Sequence, residues 1–150
     1  MQKRAHFTPK GSNPLYEKFI NYIMHDGKKT IARRIFNNSM QFISEKTKED
    51  PGKIFNKAID NVKPQMEVKP KRIGGAVYQI PREVNANRQI TLAFRWLITA
   101  ARSGKGSAMY QKLANEFMQA AEGQGTACKK KEDTHKMAAA NKAFAHFARY

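Results

Sequence analysis

Apolar side chains recur three and four residues apart through most of this chain, a period that points to helices packed on one another. Asn13-Pro14 opens the first run, a cap residue followed by the one residue suited to a helix's first position, and Leu15, Phe19, Tyr22 and Ile23 then fall on one side. Asp26-Gly27 breaks it. A second run starts near Lys28 and carries Ile31, Ile35, Ser39, Phe42 and Ile43. Asp50-Pro51 opens a third with Phe55, Ala58, Ile59 and Val62, which Lys63-Pro64 ends. Further on, Ile90, Ala93, Phe94, Leu97, Ile98 and Ala101 give the most regular stripe, with Trp96 off it. Arg102 to Gly106 stops that helix and Ser107 is the expected cap of the next, which bears Tyr110, Leu113, Ala114, Phe117, Met118 and Ala121 up to Gly123 and Gly125. A last helix is expected from Asp133 or Thr134, carrying Met137, Ala140, Phe144 and Phe147. Core packing is the reading for Phe55, Phe94, Phe117 and Phe144. Trp96 and Tyr78 are read as candidates for partner contact.

One stretch breaks the period. "VKPKRIGGAVYQIPREV" places Gly74-Gly75 between two β-capable runs, and both central residues of a type I′ turn need the positive φ that glycine adopts without steric cost. That turn sets Ile73 against Ala76, Lys71 against Tyr78, Lys69 against Ile80 and Glu67 against Arg82 on one face. Arg72 with Val77, Pro70 with Gln79 and Val68 with Pro81 make the other. Both faces mix cations with apolar groups, so the ribbon reads as an arm solvated or partner-bound along its length. The two prolines guard its edges, and two strands alone are marginal, so the arm is expected to be mobile until held. The architecture predicted is mainly α. It is one domain over 1–150, a bundle of about six helices with a protruding two-stranded hairpin over 66–84 between the third and fourth, and a basic tail over 1–12.

Charge indicates the kind of partner. Lys and Arg number 28 against 12 Asp and Glu, a formal +16, and the isoelectric point near 10.1 implies a polyanion. Solubility alone rarely calls for more than about 8 net charges in a small domain. The cations gather at segment junctions and on the arm. Lys3, Arg4 and Lys10 lie in the tail, Lys28, Lys29, Arg33 and Arg34 at the second helix start, and Lys69, Lys71, Arg72 and Arg82 on the ribbon. Arg88, Arg95, Arg102 and Lys105 follow, then Lys129, Lys130, Lys131 and Lys136. Gly27-Lys28-Lys29 at a helix start is a reasonable phosphate contact, because free N–H groups and the dipole add to the charge.

Other chemistries lack their residues. Cys128 is the only cysteine, so neither an internal disulfide nor a cysteine zinc cluster forms within the chain. The histidines His6, His25, His135 and His146 show no HExxH spacing, and there is no Walker loop, GxGxxG or GxSxG. No metal, cofactor or catalytic residue is expected, and the chain is read as no enzyme. The apolar run "ITLAFRWLITAA" is short and holds Arg95, which argues against a membrane span. "MQKRAHFTPKGS" has charge without an apolar region behind it, so secretion is unsupported, while a short organellar signal stays open.

Three stretches, "INYIMHDGKKTIARRIF", "MEVKPKRIGGAVYQIPREV" and "EDTHKMAAANKAFAHF", closely resemble, in this order and spacing, the family of the small-subunit ribosomal protein numbered seven in its bacterial and organellar form. "AFRWLITAAR" and "LANEFMQAAEGQGTACKKKED" extend the resemblance over essentially the whole chain. It implies a helical bundle with a protruding hairpin that binds the 3′ major domain of small-subunit rRNA and nucleates assembly of the head. It also implies exit-site tRNA, messenger RNA and the small-subunit protein numbered eleven as neighbours, on a ribosome in the bacterial cytoplasm or inside a mitochondrion or plastid. By position it carries rRNA contact to Gly27, Lys28 and Lys29, to Lys71 and Arg72, and to Lys129, Lys130, Lys131, His135 and Lys136 in a basic loop before the last helix. Gly74, Gly75, Tyr78 and Gln79 match the hairpin signature, near tRNA and messenger. The chain departs from the pattern in "NANRQI", where fewer arginines leave Arg88 nearly alone, in Ala139, where a glutamate is usual, and in the ending "FARY". From the residues alone, an architectural DNA-binding protein and an RNA-modifying enzyme stand as alternatives.

Overall fold

The computed structural model describes residues 8–149. Six α-helices, α1 (Pro14–Ile23), α2 (Lys29–Thr47), α3 (Pro51–Val62), α4 (Ala86–Ser103), α5 (Met109–Ala121) and α6 (Thr126–Ala140), precede a terminal 3-10 helix (Lys142–Arg149). Strands β1 (Met66–Ile73) and β2 (Ala76–Glu83) form the hairpin between α3 and α4. Helices α1, α3 and α4 start where caps and prolines set them. Asn13 Oδ1 accepts from the Leu15 N–H at 2.9 Å, Asp50 Oδ1 from Gly52 at 3.0 Å and Asn85 Oδ1 from Arg88 at 2.9 Å. Ser107 does not cap α5; Ala108 occupies that position and offers no side-chain bond.

The core is aromatic at its centre. Phe19 meets Phe94 edge-on at 4.9 Å between ring centroids, Phe55 at 5.5 Å and Phe117 at 5.3 Å, so α1, α3, α4 and α5 converge on one point. Tyr16 and Phe36 close the cluster from α1 and α2. Polar bonds fix how the helices sit. The buried Ser39 Oγ lies 2.8 Å from Ile35 O and 2.9 Å from Tyr110 O, which explains a serine on an otherwise apolar stripe. Asn61 Nδ2 donates to Ala120 O and Ala121 O at 2.9 and 3.0 Å and ties α3 to the end of α5.

The hairpin register pairs as its glycine turn dictates, from Ile73 with Ala76 to Glu67 with Arg82. Gly74 and Gly75 have φ of +58° and +89°, the conformation that required them. The expectation that both faces are solvated along their length needs correction. Glu67, Ile80 and Pro81 are buried at the foot, because α6 and the terminal 3-10 helix pack against it. Only the distal half stands clear, with Arg72, Gly74, Gly75, Ala76 and Val77 exposed.

The last helix is the largest departure. It begins at Thr126, so Lys129, Lys130 and Lys131 lie in its first turns rather than in a loop, and Cys128 is buried within it. It ends at Ala140. Phe144 is not core; it lies half-buried on the 3-10 helix, 5.0 Å from Tyr78 on the hairpin, with Phe147 6.1 Å from the same ring. Ile31, expected on the α2 stripe, is half exposed, and Trp96 packs against the core edge.

Candidate nucleic-acid interface

Two buried carboxylates organise the cations, and a third caps a helix. Glu67 on β1 sits at the hairpin foot, where its Oε1 accepts from Arg82 Nε at 2.8 Å and from Arg82 Nη2, and its Oε2 accepts from Arg88 Nε and Nη2 at 3.3 Å each. Burial opposes the ionisation of Glu67, but the bonds and charges of the two guanidinium groups outweigh it and hold its pKa below the usual carboxylate range. One acid thus locks β1, β2 and the first turn of α4 together. The arginines keep about two-fifths and a third of their side-chain surface in water.

Glu17 does the same for the second helix start. Arg33 grips it with both nitrogens, Nη2 to Oε2 at 2.9 Å and Nη1 to Oε1, while Lys29 Nζ lies 3.9 Å away and Ser12 Oγ donates at 2.8 Å. The Arg33 hydrogen bond lowers the Glu17 pKa against the cost of burial. Lys28 remains exposed beside the left-handed Gly27, and no side chain caps α2. The third acid, Glu116 on α5, works at a distance in sequence. Its Oε1 accepts from the Ala127 N–H at 2.9 Å and caps α6, whose own cap residue is Gly125, and burial raises its pKa.

Helix α4 carries the most ordered cations. Arg88, Arg95 and Arg102 stand seven residues apart, two helical turns, and so share one face over about 21 Å of axis. Arg88 meets Glu67 at the hairpin foot. Arg95 lies 5.9 Å from the centre of the Tyr22 ring, and Arg102 Nη2 donates to Ile23 O at 3.2 Å at the end of α1. The stripe therefore runs from the hairpin to the helix end from which the turn bearing Gly27 and Lys28 leaves. A seven-residue arginine period was visible in the sequence and is the signal that marks this track.

The other expected contacts divide. Lys10, Lys69, Arg72, Gln79, Lys105, Lys129, Lys130 and Lys136 are exposed, while Lys3 and Arg4 lie outside the described residues. Lys129 and Lys136 border a groove shared with Glu132 and Asp133, so the field there is partly compensated. Lys131 Nζ donates to Asn61 O at 2.9 Å and Lys71 Nζ to Phe147 O at 3.2 Å. The His135 Nε2 accepts from the Gln65 N–H at 3.0 Å, and burial together with Lys131 lowers its pKa, which keeps the ring neutral. Among the described residues no cluster of three His, Cys, Asp or Glu could hold a metal, and no helix is long and apolar enough to cross a membrane.

Comparison with known proteins agrees with this architecture. The family model described as ribosomal protein S7p/S5e matches residues 1–142. The small ribosomal subunit protein uS7 of Solidesulfovibrio magneticus is 55% identical over 139 residues, covering 93% of this chain and 89% of that protein. Those of Lawsonia intracellularis and Pseudothermotoga lettingae are 56% identical over 133 residues and 52% identical over 150, covering 89% and 97% of this chain and 85% and 97% of theirs. A match of this extent, on a helical bundle with its hairpin between the third and fourth helices, places the chain in the S7p/S5e family of ribosomal proteins, structural and non-enzymatic constituents of the small ribosomal subunit.

Proposed function

We propose that residues 1–150 act as one rRNA-binding unit that grips the 3′ major domain of small-subunit rRNA and nucleates assembly of the head. The observation that carries this reading is the arginine stripe on α4, continuous from Glu67 at the hairpin foot to Ile23 at the end of α1. Phosphates along it meet guanidinium groups already oriented by internal partners, so less side-chain entropy is lost when RNA docks. Lys28, Lys29 and Arg33 extend the surface at one end and Lys69, Lys71, Arg72 and Arg82 at the other. Lys105, Lys129, Lys130, Lys136 and His135 supply the outlying contacts. Phosphate contacts of this kind position the protein and confer little base specificity.

The exposed hairpin tip, with Gly74, Gly75 and Gln79 beside the half-buried Tyr78, projects toward exit-site tRNA and messenger in this reading, and the protein numbered eleven is a neighbour. The bacterial origin of the relatives supports a bacterial setting over an organellar one. Competition binding tests the proposal. A transcript of the 3′ major domain should displace equal-length duplex DNA from the full chain, and a preference for the DNA would refute the rRNA reading.

A further inference from the structure

Between the hairpin foot and the terminal 3-10 helix lies an open cleft lined by Lys69, Pro70, Lys71, Ile80, Arg82, Phe147 and Ala148. Its cavity volume of about 250 Å³ lies just under the roughly 300–1,000 Å³ of small-ligand sites, room for part of a ligand whose remainder stays in the open mouth. The register puts Lys69, Lys71, Ile80 and Arg82 on one face of the ribbon, so three cations edge a floor of buried Ile80, while Phe147 and Ala148 supply the opposite wall. The Lys71 bond to Phe147 O ties the two walls. Arg82 spends two of its five N–H donors on Glu67 and keeps the remainder for a ligand.

A cation cluster beside an aromatic and aliphatic wall suits a group with a phosphate at one end and a flat ring at the other. We infer that this cleft holds a single unstacked nucleotide of the bound RNA, its phosphate on Lys69 and Arg82 and its base against Phe147 and Ile80. The inference rests on the rRNA-binding reading and adds to it a contact with a base, which the stripe on α4 does not provide. Glu67 becomes a positioning residue, since it aims Arg82 at the cleft while itself touching no ligand.

The test uses the full chain, isotope-labelled for NMR, with adenosine monophosphate and orthophosphate as separate probes at matched ionic strength. The nucleotide should produce saturable shifts at the Ile80 methyl and the Phe147 amide that orthophosphate does not. Arg82→Gln should weaken it roughly tenfold or more, the scale of a charge-assisted hydrogen bond. Phe147→Leu, which keeps bulk but not the ring, should weaken it too. A 3′ major-domain transcript carrying 4-thiouridine should crosslink to residues 78–82 or 144–148. Shifts identical with orthophosphate, no shift at Ile80 and Phe147, or nucleotide binding without the crosslink would each overturn the inference. If the wild-type chain still binds the transcript in those cases, the rRNA reading survives; if it does not bind the transcript at all, that reading falls first.

Discussion

Replacing Glu67 by Gln should loosen the hairpin foot by an amount that the structure bounds. The substitution keeps size and one carbonyl acceptor but removes the charge that holds Arg82 and Arg88. Breaking a fully buried ion pair by removing one partner costs about 3–5 kcal/mol, whereas exposed pairs are worth about 0–1 kcal/mol. Glu67 has 8% of its side chain exposed, but Arg82 and Arg88 have 41% and 36% and can be rehydrated in place. The expected loss is therefore intermediate, about 1–2 kcal/mol, or roughly 2–8 °C in Tm for a chain of this size. The effect should be local. In hydrogen exchange the Val84 N–H, which donates to Gln65 O at 3.0 Å across the foot, should lose protection more than the core amides of α3 and α5. The pH dependence has a definite sign. Because the folded pKa of Glu67 is lowered, its contribution is present above the unfolded value near 4.3 and is lost as pH falls through the folded one. Wild type and Glu67→Gln should converge in stability on acidification. Thermal melts and exchange at pH 7 and pH 3 check this, and an unchanged Tm with an equally protected Val84 would show that the carboxylate does not hold the foot.

Other outcomes follow from the same contacts. Phe55→Ala removes a fully buried ring touching Phe19, Phe36 and Phe117 and should cost about 3–5 kcal/mol in urea unfolding. Glu116→Ala should destabilise by about 1–2 kcal/mol through loss of the α6 cap, whereas Glu116→Gln, which keeps the acceptor without a buried charge, should hold or raise Tm at pH 7. Acidification through the folded pKa of His135, which lies below its ordinary value, should take away the acceptor for the Gln65 N–H and speed exchange of that amide. Faster exchange with rising pH beyond the intrinsic trend would contradict it.

What the sequence disclosed depended on how local the determining interaction is. The hairpin register followed from Gly74-Gly75 because the turn alone sets it, and the starts of α1 and α3 followed from a cap residue and a proline side by side, whereas the Asn85 cap of α4 was present but not singled out. Helix α6 was not legible in that way. Its cap is a glutamate on α5, and it packs through the small residues Ala127, Cys128 and Ala138, which draw no apolar stripe. Phe144 and Phe147 had the spacing of a core face yet lie on the hairpin, because the chain turns into a 3-10 helix after Ala140. Among the cations, residue type and exposure were readable but engagement was not. Arg33, Arg82 and Arg88 each rest on a buried carboxylate that composition counts only as a subtracted charge. The register placed Glu67 opposite Arg82, as the structure has it, but not the reach of Arg88 from α4 to the same carboxylate.

The central claim, that outward cations hold a folded polyphosphate, is tested most directly by the salt dependence of binding to a 3′ major-domain transcript. Lys69 and Arg72 are exposed and have no side-chain bond among the described residues, whereas Lys71 is bonded to Phe147 O, so Lys69→Ala with Arg72→Ala probes charge without touching the fold. The wild-type log–log slope should be steep, and the double variant should lose roughly 0.7–0.9 of slope per contact removed, with an unchanged Tm. Binding that ignores salt, or a double variant with the wild-type slope and a Tm several degrees lower, would contradict the account.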